Sequence, residues 1–163
     1  ADRRSPLRTP VLATVGADGV PDARIVVLRD VSPGAATLCV HTDLRTKKVK
    51  DLQTNPSATF CAWATKYDLQ IRIKALATIL SGPDVMSSWQ SMSDPARRVY
   101  GGTPAPGVLL AHPSEVEGLP DPAAFAILRC DIREIETLHL GADLHRRARF
   151  RREDAWQGAW LAP

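Results

Sequence analysis

No apolar run in this chain approaches the ~18 residues that a membrane-spanning helix requires, which excludes a helical span. Cysteine is scarce and scattered: Cys39, Cys61 and Cys130 stand singly within apolar runs, without the pairs or histidine spacing of a zinc site. All three are expected to be buried, reduced thiols, and none has the setting of a nucleophile. A Gly-x-Gly-x-x-Gly or Walker-type loop is also missing, which argues against a Rossmann dinucleotide site and a P-loop. No internal repeat or low-complexity tract interrupts the chain. The N-terminal Ala1-Asp2-Arg3-Arg4-Ser5-Pro6 lacks the apolar core of a signal peptide, so a cytoplasmic location is the default expectation.

What remains is the composition of an ordinary globular protein. At 163 residues, with 44% hydrophobic and 24% charged residues, the chain fits a single domain spanning 1–163. The net charge is only +3, and much of the excess lies in Arg146, Arg147, Arg149, Arg151 and Arg152. Alternation puts Arg147, Arg149 and Arg151 on one face of a strand and Phe150 on the other. That pattern fits a ligand-facing wall, and no aromatic platform accompanies it for nucleic acid.

Strands dominate the first half. Val11 to Val15 and Ala23 to Leu28 flank Gly16-Ala17-Asp18-Gly19, a hairpin turn whose glycines tolerate positive φ. Thr37 to His41, Ala58 to Ala64 and Leu69 to Leu80 follow. In the last of these, Ile71, Ile73 and Ala75 alternate with Arg72, Lys74 and Leu76, as in a sheet with one buried face. Helices are predicted over Thr46 to Gln53 and from Pro83 or Asp84 to Met92, with Val85, Met86 and Trp89 on the apolar side of the second. A third, short helix starts at Asp94-Pro95 and is closed after Tyr100 by Gly101-Gly102. Thr103 to Pro122 forms a long Pro- and Gly-rich loop around a helical turn near Pro113 to Glu117. Phe125 to Leu138 and Arg147 to Ala159 are the final strands, the second bent near Asp154. Short strands with helices inserted irregularly between them indicate an antiparallel barrel of the α+β, mainly β, class.

The most informative stretch is Arg24-Ile25-Val26-Val27-Leu28-Arg29, with His41-Thr42-Asp43-Leu44-Arg45-Thr46-Lys47-Lys48 after it. The first predicts a buried strand with a basic residue at each end. In the second, Thr46 is the expected N-cap of a helix that stops at Asn55-Pro56. Lys47 and Lys48 then occupy the first turn, where the macrodipole carries roughly +0.5 charge. Two readings stand. Solvated lysines there cost only about 0.3–1 kcal/mol, or an anion such as phosphate resolves the conflict.

From Ala23 onward, the order of segments resembles the pyridoxamine 5'-phosphate oxidase family of FMN-binding split barrels. The resemblance is carried by Arg24 to Arg29, His41-Thr42-Asp43 with Lys47-Lys48, Asn55-Pro56, Leu69-Gln70-Ile71, Arg149-Phe150 and the C-terminal Leu161-Ala162-Pro163. It implies an antiparallel Greek-key split β-barrel with a few short helices. It further implies FMN as cofactor and a homodimer with FMN at the interface. By this resemblance Arg24, Ile25, Val26, Val27 and Leu28 lie along the flavin, and Arg29 at the strand's end counts among the cofactor-binding residues too. Arg24 and Lys48 bind its phosphate with help from Lys47, and Thr42 touches it through backbone or hydroxyl. Gln70 would hydrogen-bond the isoalloxazine edge, and Arg149 would contact the flavin. His139 falls near a family tryptophan, across a one-residue insertion. His41 stands where an aromatic residue is usual; it is either a ligand contact or a partly exposed strand histidine. Arg29 takes the place of a lysine that reaches the substrate phosphate, and His145 and Arg147 match the pair at the substrate ring.

The departures lie on the substrate side. Ser88 and Met92 stand where the family has a tyrosine and an arginine on the substrate phosphate, and the Tyr100 to Gly107 loop replaces a later flavin contact. The expectation is an FMN-dependent oxidoreductase with a different, anionic small-molecule substrate and no assignable catalytic residue. The alternatives are a non-catalytic flavin-binding module and a barrel for another phosphorylated cofactor. Trp89, Trp156 and Trp160 serve either the core or a dimer interface.

Overall fold

Among the described residues nine strands form one antiparallel sheet, accompanied by three short helices. The computed structural model describes residues 5–163; residues 1–4, within the stretch scanned above for a leader, lie outside the described residues. The strands are β1 (Val11–Val15), β2 (Pro21–Ile25), β3 (Leu28–Ser32), β4 (Thr37–Asp43), β5 (Ser57–Ala64), β6 (Leu69–Ser81), β7 (Phe125–Leu140), β8 (His145–Arg151) and β9 (Gly158–Leu161). The helices are α1 (Lys47–Thr54), α2 (Met86–Ser91) and α3 (Asp94–Arg97). The order in the sheet is β2-β1-β5-β6-β7-β4-β3, so the two outermost strands are consecutive in the chain and the sheet curls round to bring them together. β8 pairs with the far half of β7, and β9 pairs with β8.

The interior follows from the register. Leu12, Phe60, Ile73 and Ile135 share one side, as do Leu38, Val40, Ala58, Ala75, Leu128 and Cys130. α1 lies across one end and inserts Val49 and Leu52. A second cluster, Val85, Trp89, Tyr100, Phe125 and Ile127, packs α2 against the outside. Phe125 holds it together, with ring centroids 5.0 Å from His41, 5.5 Å from Trp89 and 5.0 Å from Tyr100.

Four sequence expectations are corrected or refined. Ala23 to Leu28 is not one buried strand: it breaks at Val26-Val27 because β2 pairs with β1 whereas β3 pairs with β4. Ile25 is consequently 71% exposed, while Val26 is buried. Arg147 to Ala159 likewise divides into β8 and β9 around a 3-10 turn at Arg152–Asp154. Thr46 is the N-cap of α1, as expected, but its side chain makes no cap bond; its hydroxyl donates to the Asp43 carbonyl at 2.8 Å. Of the three cysteines only Cys130 is buried, Cys39 and Cys61 being half-buried.

Asp43 ties the barrel to the loop that follows α3. Its carboxylate accepts from Arg45 N and Nε at 2.9 Å, Arg45 Nη2 at 2.7 Å and Gly101 N at 3.0 Å. Gly101 adopts φ 102°, and a Cβ there would run into the backbone of Leu119 and Asp121. Burial raises the Asp43 pKa, but the bonds from Arg45 and Gly101 outweigh it and hold the group below its ordinary value of 3.8.

Two outcomes follow. Phe60, 1% exposed at the centre of the barrel, should cost about 3–5 kcal/mol when cut to alanine, measured by urea denaturation. The Asp43 contribution, from a depressed folded pKa, is complete above the unfolded value of 3.8 and lost as pH falls below it. Acid titration of thermal stability should therefore show a loss below that value which is smaller in Asp43→Asn.

Candidate functional site

The expected phosphate ligands do converge. β1 and β2 pair Leu12 with Arg24, which puts the Arg24 side chain on the inner face at the end plugged by α1. Arg24 Nη1 donates to Thr14 Oγ1 at 2.7 Å and to the Leu12 carbonyl at 3.3 Å, and Nη2 reaches Asp22 Oδ2 at 2.6 Å. From the start of α1, Lys48 Nζ donates to Thr42 Oγ1 at 3.1 Å. Lys48 is half-buried; burial and then the nearby Arg24 push its pKa down. Among the described residues no carboxylate lies within ion-pair distance of it, so a hydroxyl is its recorded partner.

Lys47 behaves differently. It reaches Asp51 Oδ1 at 3.0 Å, one helical turn on, and Asp22 at 3.8 Å. The hydrogen bond to Asp51 raises the Lys47 pKa. The conflict with the helix dipole is therefore half answered inside the chain: a buried acid serves Lys47, and Lys48 alone lacks one. Asp51, 5% exposed, also accepts from Thr14 Oγ1 at 2.8 Å and lies 3.9 Å from Arg24 Nη2. Burial raises the Asp51 pKa, but the bonds from Lys47 and Thr14 bring it below its ordinary value. A Cβ on Gly16 would stand 3.1 Å from Asp51 Oδ1, so the hairpin turn closes directly on this network.

Thr14, Asp22 and Asp51 were missed in the sequence. The Lys47–Asp51 spacing of four was the available signal. Three cations meet two carboxylates here, and one positive charge remains. Such a donor set, a guanidinium, an ammonium and a threonine hydroxyl, suits a phosphate.

Gln70 lies elsewhere. Paired residues share a face, and Gln70 pairs with Trp63 and Leu138, while Arg24 shares the face of Leu12, Phe60 and Ile73. Gln70 and Arg24 therefore sit on opposite faces of the sheet. Leu138 pairs with Arg147, Glu136 with Arg149 and Leu140 with His145, which gathers Gln70, His145, Arg147 and Arg149 on the outer face. His139 pairs with Leu69 and Arg146 and so faces the other way from Gln70.

The arginine wall is partly engaged. Arg147 Nη2 donates to Glu136 Oε2 at 3.0 Å, and Arg72 binds the other oxygen of the same carboxylate. Arg147 Nε, buried, is 3.0 Å from Oε1 yet off-axis for a hydrogen bond. Burial raises the Glu136 pKa, and Arg147 and Arg72 bring it below its ordinary value. Arg151 pairs with Glu153 at 2.6 Å and Asp154 at 2.8 Å, which leaves Arg149 as the wall's arginine without an ion pair among the described residues.

His41 lies on the outside of β4, edge-on to Phe125, with Nδ1 buried and lacking a hydrogen-bond partner among the described residues. Burial, and then Arg29, lower its pKa to about 4, so it is neutral at pH 7. Val26 donates its N–H to the Pro10 carbonyl at 3.0 Å, while Val27 and Leu28 carry the chain from β2 into β3. Of the expected tryptophans, Trp89 is buried, Trp156 packs against the core and Trp160 is 78% exposed.

Residues 1–81 match the family model of the pyridoxamine 5'-phosphate oxidase FMN-binding domain. A pyridoxine/pyridoxamine 5'-phosphate oxidase of Thermosynechococcus vestitus is 32% identical over 80 residues, covering 49% of this chain and 37% of that protein. A second such oxidase, from Arabidopsis thaliana, is 30% identical over 59% of this chain and 52% of its own length. The chain thus spans about half or less of these curated relatives. Among solved structures, a pyridoxamine 5'-phosphate oxidase-related, FMN-binding protein of Nostoc punctiforme superposes with TM-score 0.81 at 28% identity, over 96% of this chain and 89% of that one. PhzG of Burkholderia lata, solved with tetrahydrophenazine-1-carboxylic acid, shares the fold with TM-score 0.81 at 22% identity, over 98% and 85%. With the antiparallel barrel and the converging Arg24, Thr42 and Lys48, these likenesses put the chain in the pyridoxamine 5'-phosphate oxidase-like family of FMN-binding split barrels.

Proposed function

We propose that this chain is an FMN-dependent oxidoreductase acting on a small anionic molecule, and that its working unit is a homodimer. The observation that carries the cofactor reading is Lys48: a half-buried ammonium beside Arg24, with a hydroxyl partner and, among the described residues, no acid within ion-pair distance. A phosphate group supplies the missing anion. Arg24 grips it with a planar guanidinium already oriented by Asp22 and Thr14, and Lys48 adds a point charge. Bound FMN would supply the hydride-accepting chemistry, as flavins do.

The chain's own residues then divide into two groups. Arg24, Thr42 and Lys48, with Lys47 held nearby by Asp51, form an anchor inside the barrel end. Gln70, Arg149, Arg147 and His145 form a wall on the outer face. Opposite faces of one sheet do not serve one planar ring, so the wall that meets a cofactor anchored in one chain belongs to a second copy. Support comes from the apolar surroundings of the wall: Val11, Ile25 and Trp63, all exposed, share its face. Arg147 and Arg149 give it positive charge, which selects an anionic substrate. His145, at the end of the same row, is placed to move a proton between substrate and water.

Three measurements check this reading. Arg24→Ala and Lys48→Ala should each weaken FMN binding about tenfold or more, and leave riboflavin, which lacks the phosphate, unchanged. Equal losses for both flavins would overturn the anchor. A chain carrying Arg24→Ala and Lys48→Ala, mixed with one carrying Gln70→Ala and Arg149→Ala, should recover one of the two FMN sites in each mixed dimer, sites that neither variant fills alone. Monomeric protein holding a full equivalent of FMN would refute the dimer. Candidate anionic substrates, added without oxygen, should bleach the flavin absorption of the loaded protein.

A further inference from the structure

The two ends of the barrel are closed differently. At one end α1 pushes Val49 and Leu52 into the interior. At the other end, where β4 begins, a 3-10 turn at Pro6–Arg8 is what lies against the mouth. A cavity of about 810 Å3 remains there, walled by Leu28, Leu38, Phe60, Ala62, Ile71 and Ile73. Its cause is local: inward-facing Ala62 is too small to fill the space between Phe60 and the mouth, and among the described residues no α-helix reaches in. The volume falls in the range of small-molecule sites, roughly 300–1,000 Å3. Its inner part, between Leu28, Ala62, Ile71 and Ile73, gives water few partners and suits apolar matter instead.

The rim carries the specificity. Arg8 stands at the opening as a positive charge above the shaft, while Arg29 and Asp30 border it from the outer face of β3, the side of Cys39 and His41. Lys48 and Thr42 belong to the opposite end of β4, so the cavity is distinct from the phosphate anchor. We propose that the open end of the barrel binds an apolar molecule bearing a single acidic group, its body among Ala62, Ile71 and Ile73 and its acid at Arg8. The reading does not depend on FMN, because none of the anchor residues lines the cavity.

Octanoate and 1-octanol, matched in length and different in charge, probe it. Calorimetric titration of the FMN-free and the FMN-loaded protein should show octanoate binding in both with similar affinity. Arg8→Gln should weaken octanoate about tenfold and leave octanol unchanged. Ala62→Phe, which fills the shaft, should weaken both more than tenfold. The methyl resonances of Ile71 and Ile73 should shift on adding octanoate to the unaltered protein, a measurement independent of how either variant folds. Absence of octanoate binding, unmoved Ile71 and Ile73 methyls, or competition between octanoate and FMN would each overturn the proposal. Since FMN affinity is read separately, failure here leaves the cofactor anchor untouched.

Discussion

β7 is 16 residues long because it serves two neighbours, and the arrangement of everything else depends on that length. Its first half pairs with β4 and closes the barrel; its second half pairs with β8 and extends a wall beyond it. β6 accompanies it along nearly its whole length, with a register shift between Lys74 and Ala75 at the joint. The shift adds a residue on β7, so that Ile132 and Ile135 both face inward across from Ala75 and Ile73. Without it the alternation would expose one half of the apolar set. The barrel thus acquires an inside, and the wall an outside, from one pair of strands.

The electrostatics follow the same division. At the plugged end, cations gather beside the first turn of a helix, against its dipole, and the chain offsets most of the charge itself through Asp22 and Asp51. A site left entirely unpaired would repel itself and lose its geometry. A site fully paired would have nothing to offer an anion. Here Arg24 is oriented by neutral and acidic partners, Lys47 is held by Asp51, and Lys48 retains a charge unmatched by any carboxylate in reach. On the wall Glu136 does the same for Arg72 and Arg147, one carboxylate fixing two guanidiniums and leaving a positive excess.

What was legible in the sequence is what local pattern controls. β1, the Gly16 to Gly19 turn, α1 and the long alternation of β6 stand close to where periodicity and turn chemistry put them. The break after Ile25 was invisible because apolarity continues across it; the chain changes pairing partner there, and partner choice is a tertiary matter. The same holds for Asp51. Its spacing from Lys47 could be read, but its burial depends on a hairpin thirty-odd residues earlier folding over it, as the bond from Thr14 records. Residues on the candidate site were legible by resemblance, and their distribution over two faces was not, because face follows from register and register from the whole sheet.

The helix α1 explains why the polar chemistry and the empty volume lie at opposite ends. One side of it carries Val49 and Leu52 into the barrel, so plugging requires the helix to lie across the mouth. Lying there brings its first turn beside β2 and β4, and Lys48 can reach Thr42 only from that position. Filling the end and presenting the cations are therefore one act of packing, and the acid that steadies them, Asp51, sits on the same buried side as Val49 and Leu52. The mouth without such a helix gains neither plug nor charge network. It keeps an apolar shaft with Arg8 at its rim, while the exposed Arg29 and Asp30 stay on the outer face of β3, where water reaches them.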